Sequence, residues 1–238
     1  MEYVFPPTPV VAVPIAESPD TASTRDGFPV RRIYCVGRNY AAHAREMGHD
    51  PDREPPFFFC KPADAVVYVA PGQTGEFPYP PRTSDVHHEM ELVVAIGRAG
   101  RDIAVDKALE HVYGYALGLD MTRRDLQAEA KKMGRPWDVA KGFDRSAPLG
   151  PIHPVSRVGQ IERGAIWLAL NGVERQRSDV SRLIWSTAET IAHLSTLFTL
   201  EPGDLIFTGT PEGVAAVKRG DVMSGGVEGL GTLNVRVV

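Results

Sequence analysis

Two glutamates separated by one residue mark the most informative segment of the sequence, Asp85-Val-His-His-Glu-Met-Glu-Leu-Val-Val-Ala-Ile. Side chains alternate between the two faces of a β-strand, so Glu89 and Glu91 point the same way if this segment is extended. Two carboxylates on one face of an apolar strand repel each other and lose hydration, and such a pair needs a cation or bound protons. An edge strand with a solvated acidic face is the alternative, but the apolar run after Glu91 favours a strand that is covered on both faces.

A third carboxylate, Asp120, follows the apolar run 112–119 and precedes a predicted helix. Active-site groups often lie at such strand ends, on loops that a scaffold holds in place. Three carboxylates without a cysteine ligand are hard oxygen donors, which favour Mg²⁺, Mn²⁺ or Ca²⁺ over zinc. His87 is in phase with Glu89 and Glu91, which leaves an iron or manganese site open, although a lone histidine there is more often an outer hydrogen-bonding group.

The helix predicted over 122–133, with Thr122 as its cap and Gly134 at its end, carries a polar stripe. Arg124, Gln127 and Lys131 are spaced i, i+3 and i+7, so they share one face of this helix. Such a stripe is usually solvated surface, but this one begins four residues after Asp120. Arg124 and Gln127 could therefore reach a carboxylate or carbonyl group of an anion bound at the metal.

Three weaker signals accompany these clusters. On a helix, His43 and Glu46 lie at i and i+3, and a carboxylate partner orients a histidine that acts as a general base; a surface ion pair is the common alternative. Lys141 lies between small residues near apolar neighbours. The glycine-bracketed segment 208–214 could bring backbone N–H groups to a ligand or be only a tight turn.

Short apolar runs separated by turn residues predict many short strands and few helices. The Asn171-Gly172 pair between two apolar runs predicts a hairpin, and Ser186-Thr-Ala-Glu189 predicts a helix that begins with a capping box. Asn39 and Gly48 bracket a short predicted helix around His43. Nothing reads as repeated βαβ units, so the sequence predicts an α+β chain with a β-rich body.

The first 29 residues differ from the rest because they contain six prolines. Proline cannot donate a hydrogen bond to a sheet, so only 9–15 is strand-like, and any strand there is short or at an edge. We therefore predict a proline-rich arm over 1–29 and a single catalytic domain over 30–238. The stretch 71–85, rich in Pro, Gly, Thr and Ser, is predicted as a loop.

Composition excludes several classes of protein. The chain has 238 residues and a formal net charge of −4, which argues against a nucleic-acid-coating surface. Its two cysteines, Cys35 and Cys60, are too few for a disulfide scaffold and fit thiols in a reducing compartment. No apolar run approaches the roughly 18 residues of a membrane span, and no secretion signal is evident. We expect a cytoplasmic enzyme that binds neither nucleic acid nor membranes.

Taken in order, these clusters resemble the fumarylacetoacetate hydrolase family. The stretches Arg45-Glu-Met-Gly and Pro55-Pro-Phe-Phe-Phe, together with the short proline-rich arm, resemble its bacterial acylpyruvate-cleaving branch. The resemblance runs from about Ile33 to Asp221. It rests on Cys35-Val-Gly-Arg-Asn-Tyr, His43-x-x-Glu46, Phe59-x-Lys-Pro, His88-Glu-x-Glu-Leu, Asp120-x-Thr-x-Arg-Asp-x-Gln, Ala140-Lys141, and Pro202-Gly-Asp through Gly209-Thr-Pro-x-Gly-Val.

The resemblance implies a mixed β-roll or sandwich fold with short helices, usually as a homodimer. It implies Mg²⁺ or Mn²⁺ held by Glu89, Glu91 and Asp120. It also implies a His43–Glu46 dyad on a lid. The residues that it places around the substrate are Lys141, Gln127, Arg124 and, in the closing loop, Thr210.

The expected substrate is a 2,4-diketo acid of the acylpyruvate type, which would be hydrolysed to pyruvate and a carboxylic acid such as fumarate during the breakdown of aromatic compounds. In this hypothesis His43 activates water, Lys141 stabilises the oxyanion, and Arg38 or Arg124 receives a distal carboxylate. Decarboxylation of oxaloacetate, or isomerisation or decarboxylation of a longer diacid, is the alternative on the same scaffold. A cupin-like dioxygenase that uses His87 and Glu89 is a further alternative, but the sequence contains no His-x-His motif for additional ligands. A metal-stabilised β-rich interaction module is another, but the convergence of polar groups from three separate elements argues against it.

Overall fold

Strands dominate the computed structural model of the chain, which describes residues 3–18, 21–46 and 54–238. The strands are β1 (Ala12–Ser18), β2 (Thr21–Pro29), β3 (Ile33–Val36), β4 (Phe58–Lys61), β5 (Val66–Tyr68), β6 (Thr74–Phe77), β7 (Val86–His87), β8 (Met90–Ile96), β9 (Val112–Leu119), β10 (Thr122–Arg123), β11 (Ala147–Leu149), β12 (His153–Pro154), β13 (Ala165–Leu170), β14 (Val173–Asp179), β15 (Leu205–Phe207), β16 (Ala216–Val217), β17 (Val222–Val227) and β18 (Thr232–Val237). The α-helices are α1 (Ala41–Glu46), α2 (Arg124–Met133), α3 (Asp138–Lys141), α4 (Val155–Val158) and α5 (Thr187–Leu197), with 3-10 turns at Ala63–Ala65, Val105–His111 and Val180–Arg182.

The central sheet is built around β8 and β9. Its strand order is β4-β3-β15-β8-β9-β11-β5, with β12 also paired to β9, and it mixes parallel and antiparallel neighbours. Every residue of β8 is buried, as the apolar run after Glu91 predicts. This mixture of sheets with a few short helices confirms the predicted α+β class.

A second sheet, with the order β14-β13-β17-β18-β6, covers one face of the central sheet. Met90, Leu92 and Val94 of β8 lie in one apolar cluster with side chains of this second sheet, such as Leu168 and Val235. Asn171 and Gly172 both have positive φ, at 53° and 78°, which is the conformation that a two-residue hairpin turn needs. The predicted β13–β14 hairpin is therefore confirmed.

An N-terminal hairpin of β1 and β2 covers part of the opposite face of the central sheet. Val13 and Phe28 of this hairpin lie in a second apolar cluster with Val93 and Ala95 of β8. The hairpin is tied to the body by the Ala16 N–H, which donates to the Ile152 carbonyl at 2.7 Å. Alternate residues of β8 therefore belong to two separate cores.

Strands β2 and β6 lie in segments where the sequence predicts no strand. β2 contains Asp26, Gly27 and Pro29, which are poor strand formers, but pairing with β1 and burial of Phe28 stabilise it. β6, inside the predicted loop 71–85, is a parallel edge strand beside β18. Long-range pairing overrides local propensity at both places. The division into an arm over 1–29 and a domain over 30–238 stays a prediction.

Helix ends follow the predicted signals in some places only. Gly134 ends α2 in the left-handed conformation, with φ of 62°, and Ser186 with Glu189 forms the predicted capping box of α5. Thr122 does not cap α2: Arg123 occupies that position, and the Thr122 hydroxyl donates to Glu89 instead. The helix end predicted at Gly48 lies outside the described residues.

Membrane insertion through a helix has no support in the part of the chain that the structure describes. None of its helices combines the length and the apolar character that a bilayer span requires.

The capping box of α5 gives a testable prediction. Ser186→Ala should lower the free energy of unfolding by about 1 kcal/mol, because the Glu189 N–H loses its side-chain acceptor. Urea titration of both proteins measures the difference. Thr196→Ala, which removes an exposed hydroxyl near the other end of α5, is the matched control and should change stability by less than about 0.5 kcal/mol. Equal losses in the two variants would contradict the capping role.

Candidate active site and metal centre

Antiparallel pairing of β8 with β9 brings the three predicted carboxylates together. The register pairs Glu91 with Gly118, and the Asp120 N–H donates to the Glu89 carbonyl at 2.9 Å. Asp120 is therefore the cross-strand neighbour of Glu89. One ligand oxygen from each of the three carboxylates lies within 4.8 Å of the other two, and all three residues are buried. The strand alternation predicts this shared face.

Three cations from three different elements surround the carboxylates. The Lys141 ammonium at the end of α3 donates to Glu89 Oε2 at 2.8 Å and to Asp120 Oδ2 at 2.7 Å. Arg124, at the start of α2, donates to Glu89 Oε1. The Lys61 ammonium at the end of β4 lies 2.8 Å from Asp120 Oδ1. All of these groups except the partly buried Arg124 are almost fully excluded from solvent.

The electrostatic environment shifts the pKa values of Glu89 and Glu91 in opposite directions. Burial opposes ionisation of Glu89, but Lys141 and Arg124 outweigh it and hold the pKa of Glu89 below its ordinary value. Burial, with repulsion from Asp120 and Glu89, raises the pKa of Glu91 well above its ordinary value. Glu91 accepts a hydrogen bond from the Gly209 N–H at 2.7 Å but forms no ion pair within the described residues. A cation or a proton is therefore required at Glu91.

The residues present fit a divalent metal ion. Asp120 Oδ1 is buried and accepts no hydrogen bond among the described residues, because Lys61 approaches it outside hydrogen-bonding geometry. A buried carboxylate oxygen without a donor is a natural metal ligand, and a set of three carboxylates suits a hard cation. This arrangement is consistent with the predicted ligands Glu89, Glu91 and Asp120.

Histidine does not join this cluster. The only group of candidate metal ligands that the described residues form contains the three carboxylates alone. His87 Nε2 lies 2.9 Å from Asp85 Oδ1, and burial, with the nearby Arg124, lowers the pKa of His87. His88 is fully buried and faces Gln176. The candidate metal centre that the described residues form therefore does not include His87.

A second functional pair lies on α1. His43 is buried, and its Nδ1 lies 3.2 Å from Glu46 Oε2. The Glu46 carboxylate also accepts the Gly213 N–H, at 3.1 Å to each oxygen. A proton on Nδ1 that is donated to Glu46 leaves Nε2 as the basic nitrogen of the ring. The geometry therefore supports the predicted orientation of His43 by Glu46.

One polar cavity joins the dyad to the carboxylates, and most of the predicted site residues line it. Glu46 contacts His43, which lines the cavity, and Asp120 contacts Lys141, which also lines it. The lining comprises Arg38, His43, Glu89, Glu91, Arg124, Gln127, Lys131, Lys141 and Thr210, together with Val36, Gly37, Phe59 and Trp137.

The cations in this cavity divide into two kinds. Arg124 donates to Glu89 and, at 2.7 Å, to Gln127 Oε1. Arg38 and Lys131 have no carboxylate partner among the described residues; each lies over an aromatic ring instead, Arg38 at 4.7 Å from the Phe57 centroid and Lys131 at 5.2 Å from the Trp137 centroid. Burial, with repulsion from Arg124 and Arg38, lowers the pKa of Lys131 to about 8. Two unpaired cations favour an anion in the cavity.

The loop over 208–213 closes one side of the cavity. The Thr210 hydroxyl donates to the Met90 carbonyl at 2.8 Å, which fastens the loop to β8. The Asn39 side chain, predicted as a helix cap, donates to the Thr208 carbonyl at 2.8 Å and to the Trp185 carbonyl at 2.9 Å. The loop is therefore held from both sides, and its N–H groups face Glu91 and Glu46.

Sequence reasoning gave no role to three residues that the structure places in or behind the site. Lys61 was visible only as a lysine that ends an apolar strand, and Lys131 only as a member of the polar stripe. Gln176 alternates with exposed residues on a strand of a surface hairpin, yet it is fully buried. A buried amide on an otherwise polar strand has no distinctive sequence signal.

Comparison with known proteins gives the same assignment over nearly the whole chain. Residues 32–238 match the family model described as fumarylacetoacetate (FAA) hydrolase C-terminal. The chain is 49% identical over 193 residues to a fumarylpyruvate hydrolase of Ralstonia sp, covering 80% of this chain and 98% of that protein. It is 43% identical over 202 residues to a mitochondrial oxaloacetate decarboxylase of Dictyostelium discoideum, covering 85% of this chain and 91% of that one.

A solved structure extends this likeness to three dimensions. The crystal structure of fumarylpyruvate hydrolase from Pseudomonas aeruginosa in complex with Mn²⁺ and pyruvate is 60% identical, with a TM-score of 0.96. It covers 100% of this chain and 99% of that chain. With the family model, the identities and the fold in agreement, the chain belongs to the fumarylacetoacetate hydrolase family.

Proposed function

We propose that the chain is a metal-dependent hydrolase that cleaves the carbon–carbon bond of a 2,4-diketo acid, giving pyruvate and a carboxylic acid. The acyl group that we propose is fumaryl. The observation that carries the proposal is one cavity at which three buried carboxylates, the His43–Glu46 dyad and two cations without a carboxylate partner among the described residues meet. The similarity to two fumarylpyruvate hydrolases supports the same reaction.

Glu89, Glu91 and Asp120 would hold Mg²⁺ or Mn²⁺. The Mn²⁺ in the Pseudomonas aeruginosa structure supports a divalent cation. When bound, the ion supplies Lewis-acid chemistry toward the ketonic oxygens of the substrate. Its positive charge also removes the need for a proton on Glu91, the one carboxylate of the three without an ion pair in the described residues.

His43 is the proposed general base. Its Nδ1–H donates to Glu46, so Nε2 is free to take a proton from water. The resulting hydroxide attacks the distal acyl carbonyl carbon. The bond between that carbon and the methylene group of the pyruvyl part then breaks, and its electron pair leaves with the pyruvyl part. The proton that His43 took from water is then transferred to the methylene carbon, which becomes the methyl group of pyruvate, so that one water is consumed for each substrate cleaved.

Lys141 and Gln127 can stabilise negative charge during this step. Two of the three N–H groups of the Lys141 ammonium are committed to Glu89 and Asp120, which leaves one for an oxyanion. The Gln127 oxygen accepts from Arg124, so its NH₂ group is turned to other acceptors. Lys141 therefore has two proposed tasks: to neutralise the carboxylates and to meet the developing charge.

The distal carboxylate of a fumaryl group would bind to Arg38 and Lys131. Sequence reasoning left Arg38 and Arg124 as equal candidates. The structure commits Arg124 to Glu89 and Gln127, whereas Arg38 and Lys131 have no acidic partner among the described residues. Thr210, which lines the same cavity, would contact the substrate from the closing loop.

Decarboxylation of oxaloacetate is the second candidate, because the Dictyostelium discoideum relative carries that name. The reaction needs the metal ligands but no attacking water, so it gives His43 and Glu46 no task. The oriented dyad favours hydrolysis. A homodimer, a cytoplasmic location, a role in aromatic catabolism and the choice between Mg²⁺ and Mn²⁺ stay predictions.

The reaction itself is the first test. Purified protein incubated with fumarylpyruvate and Mg²⁺ or Mn²⁺ should release equimolar fumarate and pyruvate, followed spectrophotometrically and by chromatography. Chelation with EDTA should abolish the release, and added metal should restore it. Carbon dioxide from oxaloacetate, without any cleavage of fumarylpyruvate under the same conditions, would move the assignment to the decarboxylase.

The dyad can be tested separately from the metal site. His43→Ala should lower kcat for fumarylpyruvate by about 10²- to 10⁴-fold, because water loses its base. Glu46→Gln should give a smaller loss in the same direction, since the ring loses its carboxylate partner but keeps a hydrogen-bonding group. Steady-state kinetics at saturating metal measures both variants, and Mn²⁺ affinity is the control for an intact metal site. A full rate in His43→Ala would exclude this role.

The proposed role of Lys131 predicts a preference for substrates with a distal carboxylate and a pH dependence of that preference. Lys131→Met should reduce the ratio of kcat/KM for fumarylpyruvate to that for acetylpyruvate, which lacks the distal carboxylate, by about 10- to 100-fold. Because burial and neighbouring cations lower the pKa of Lys131 to about 8, the wild type has its charge below pH 8 and loses it above. The wild-type ratio should therefore fall between pH 7 and 9.5, whereas the ratio for Lys131→Met should stay flat. A variant that keeps the wild-type ratio and profile would contradict this role.

A further inference from the structure

Gln176 is a buried amide behind the site. It lies on β14, a strand of a surface hairpin whose neighbouring residues Arg175 and Arg177 are exposed. Gln176 itself is 0% exposed. Burying an amide is costly unless all of its hydrogen-bonding groups find partners, so the contacts of this side chain indicate its task.

The two ends of the Gln176 amide face two different elements. Its oxygen accepts from the Met90 N–H at 3.2 Å and lies 3.0 Å from His88 Nδ1. Its NH₂ group donates to Thr210 Oγ1 and to the Pro211 carbonyl, both at 2.8 Å. Gln176 therefore bridges the strand that bears Glu89 and Glu91 to the loop that closes the cavity.

The same loop carries the groups that touch the candidate catalytic residues. The Gly209 N–H donates to Glu91, and the Gly213 N–H donates to Glu46. Gly213 has a φ of 91°, and a Cβ there would lie 1.9 Å from the Arg175 carbonyl oxygen, so only glycine allows the loop to approach β14 this closely. The position of β14 thus sets where the loop meets both carboxylates.

From these contacts we infer that Gln176 is a positioning residue: its side-chain amide clamps the 208–213 loop to β8, so that Glu91, Thr210 and the His43–Glu46 dyad keep their mutual geometry. The reactive role of these groups rests on the proposed function. The clamp itself is a property of the fold. Small displacements of reacting groups cost large factors in rate, about 10²-fold for about 1 Å, so the clamp has a kinetic consequence.

Gln176→Met is the most direct variant. Methionine has a similar length and volume but no amide, so both ends of the bridge are lost. Thr210→Val removes the hydroxyl that accepts from Gln176 and donates to the Met90 carbonyl, but it keeps the Gln176 bond to the Pro211 carbonyl; it is a second variant for the case that Gln176→Met does not fold. Arg177→Gln is the matched control, because it lies next to Gln176 on the same strand and changes only an exposed ion pair with Glu174.

Hydrogen exchange of the metal-free protein, followed by mass spectrometry, tests the clamp. Amides over 208–213 should exchange at least about 10-fold faster in Gln176→Met, and faster to a smaller extent in Thr210→Val. Arg177→Gln should exchange there like the wild type. Wild-type exchange over this segment in both test variants would overturn the proposal.

Kinetics then separates positioning from mere stability. In Gln176→Met, kcat/KM for fumarylpyruvate should fall about 10- to 100-fold at a temperature where the variant is fully folded. The double variant with Thr210→Val should lose less than the product of the two single losses, because the Gln176–Thr210 hydrogen bond is lost in each single variant and can be lost only once. Faster exchange with wild-type kcat/KM would leave Gln176 a structural role only and would overturn the positioning role.

The exchange experiment and the kinetic experiment distinguish failure of the Gln176 clamp from failure of the proposed function. If the wild type cleaves no acylpyruvate, the proposed function fails, yet the exchange experiment on the metal-free protein still decides whether Gln176 holds the loop. If the wild type cleaves and only the exchange and kinetics of the Gln176 and Thr210 variants are unchanged, the clamp fails and the function stands.

Discussion

Mutual repulsion among three buried carboxylates is the constraint on which the rest of the structure depends. Glu89, Glu91 and Asp120 lie within 4.8 Å of one another at the end of a covered strand pair, where isolated charges would not be tolerated. The negative charge is balanced by three cations from three different elements: Lys61 of β4, Lys141 of α3 and Arg124 of α2. These elements must therefore assemble around the strand ends for the site to exist. Among the described residues, Glu91 alone has a backbone donor rather than a cation, so a divalent ion would contribute most there.

Packing of the two apolar cores on both faces of β8 holds this polar cluster in place. On one face, Glu89 directly before β8 and Glu91 within it are followed by Val93 and Ala95, which lie in the core beneath the N-terminal hairpin. On the opposite face, Met90, Leu92 and Val94 lie in the core that includes residues of the second sheet. Close packing on both faces makes β8 and β9 a rigid base, while the groups that would contact substrate come from α1, α2 and the 208–213 loop. The proline-rich segment thereby contributes to the site, because it covers the strand that carries the carboxylates.

Local patterns in the sequence were enough for the acidic centre, because its geometry follows from strand alternation and a cross-strand register. They were also enough for the Asn171-Gly172 turn and the α5 capping box, each of which is determined by neighbouring residues. Lys61, Gln176 and the true partner of Thr122 could not be found in this way, since their contacts join residues 33 to 88 positions apart. The hairpin strand β2 was missed for the same reason: pairing and burial stabilise it against its own propensities.

The division of cations also bears on which reaction this scaffold performs. Every group that a decarboxylase and a hydrolase would share, namely the carboxylates with Lys141 and Arg124, belongs to the charge-balanced centre. The groups that would separate the two reactions lie outside it: His43 with Glu46 for activation of water, and Arg38 with Lys131 for a second carboxylate. Under the proposed function, the difference between the two reactions would therefore depend on the rim of the cavity. The rim of this chain has an oriented base and two cations that have no carboxylate partner among the described residues, a combination suited to hydrolysis of a diketo acid with a carboxylate at each end.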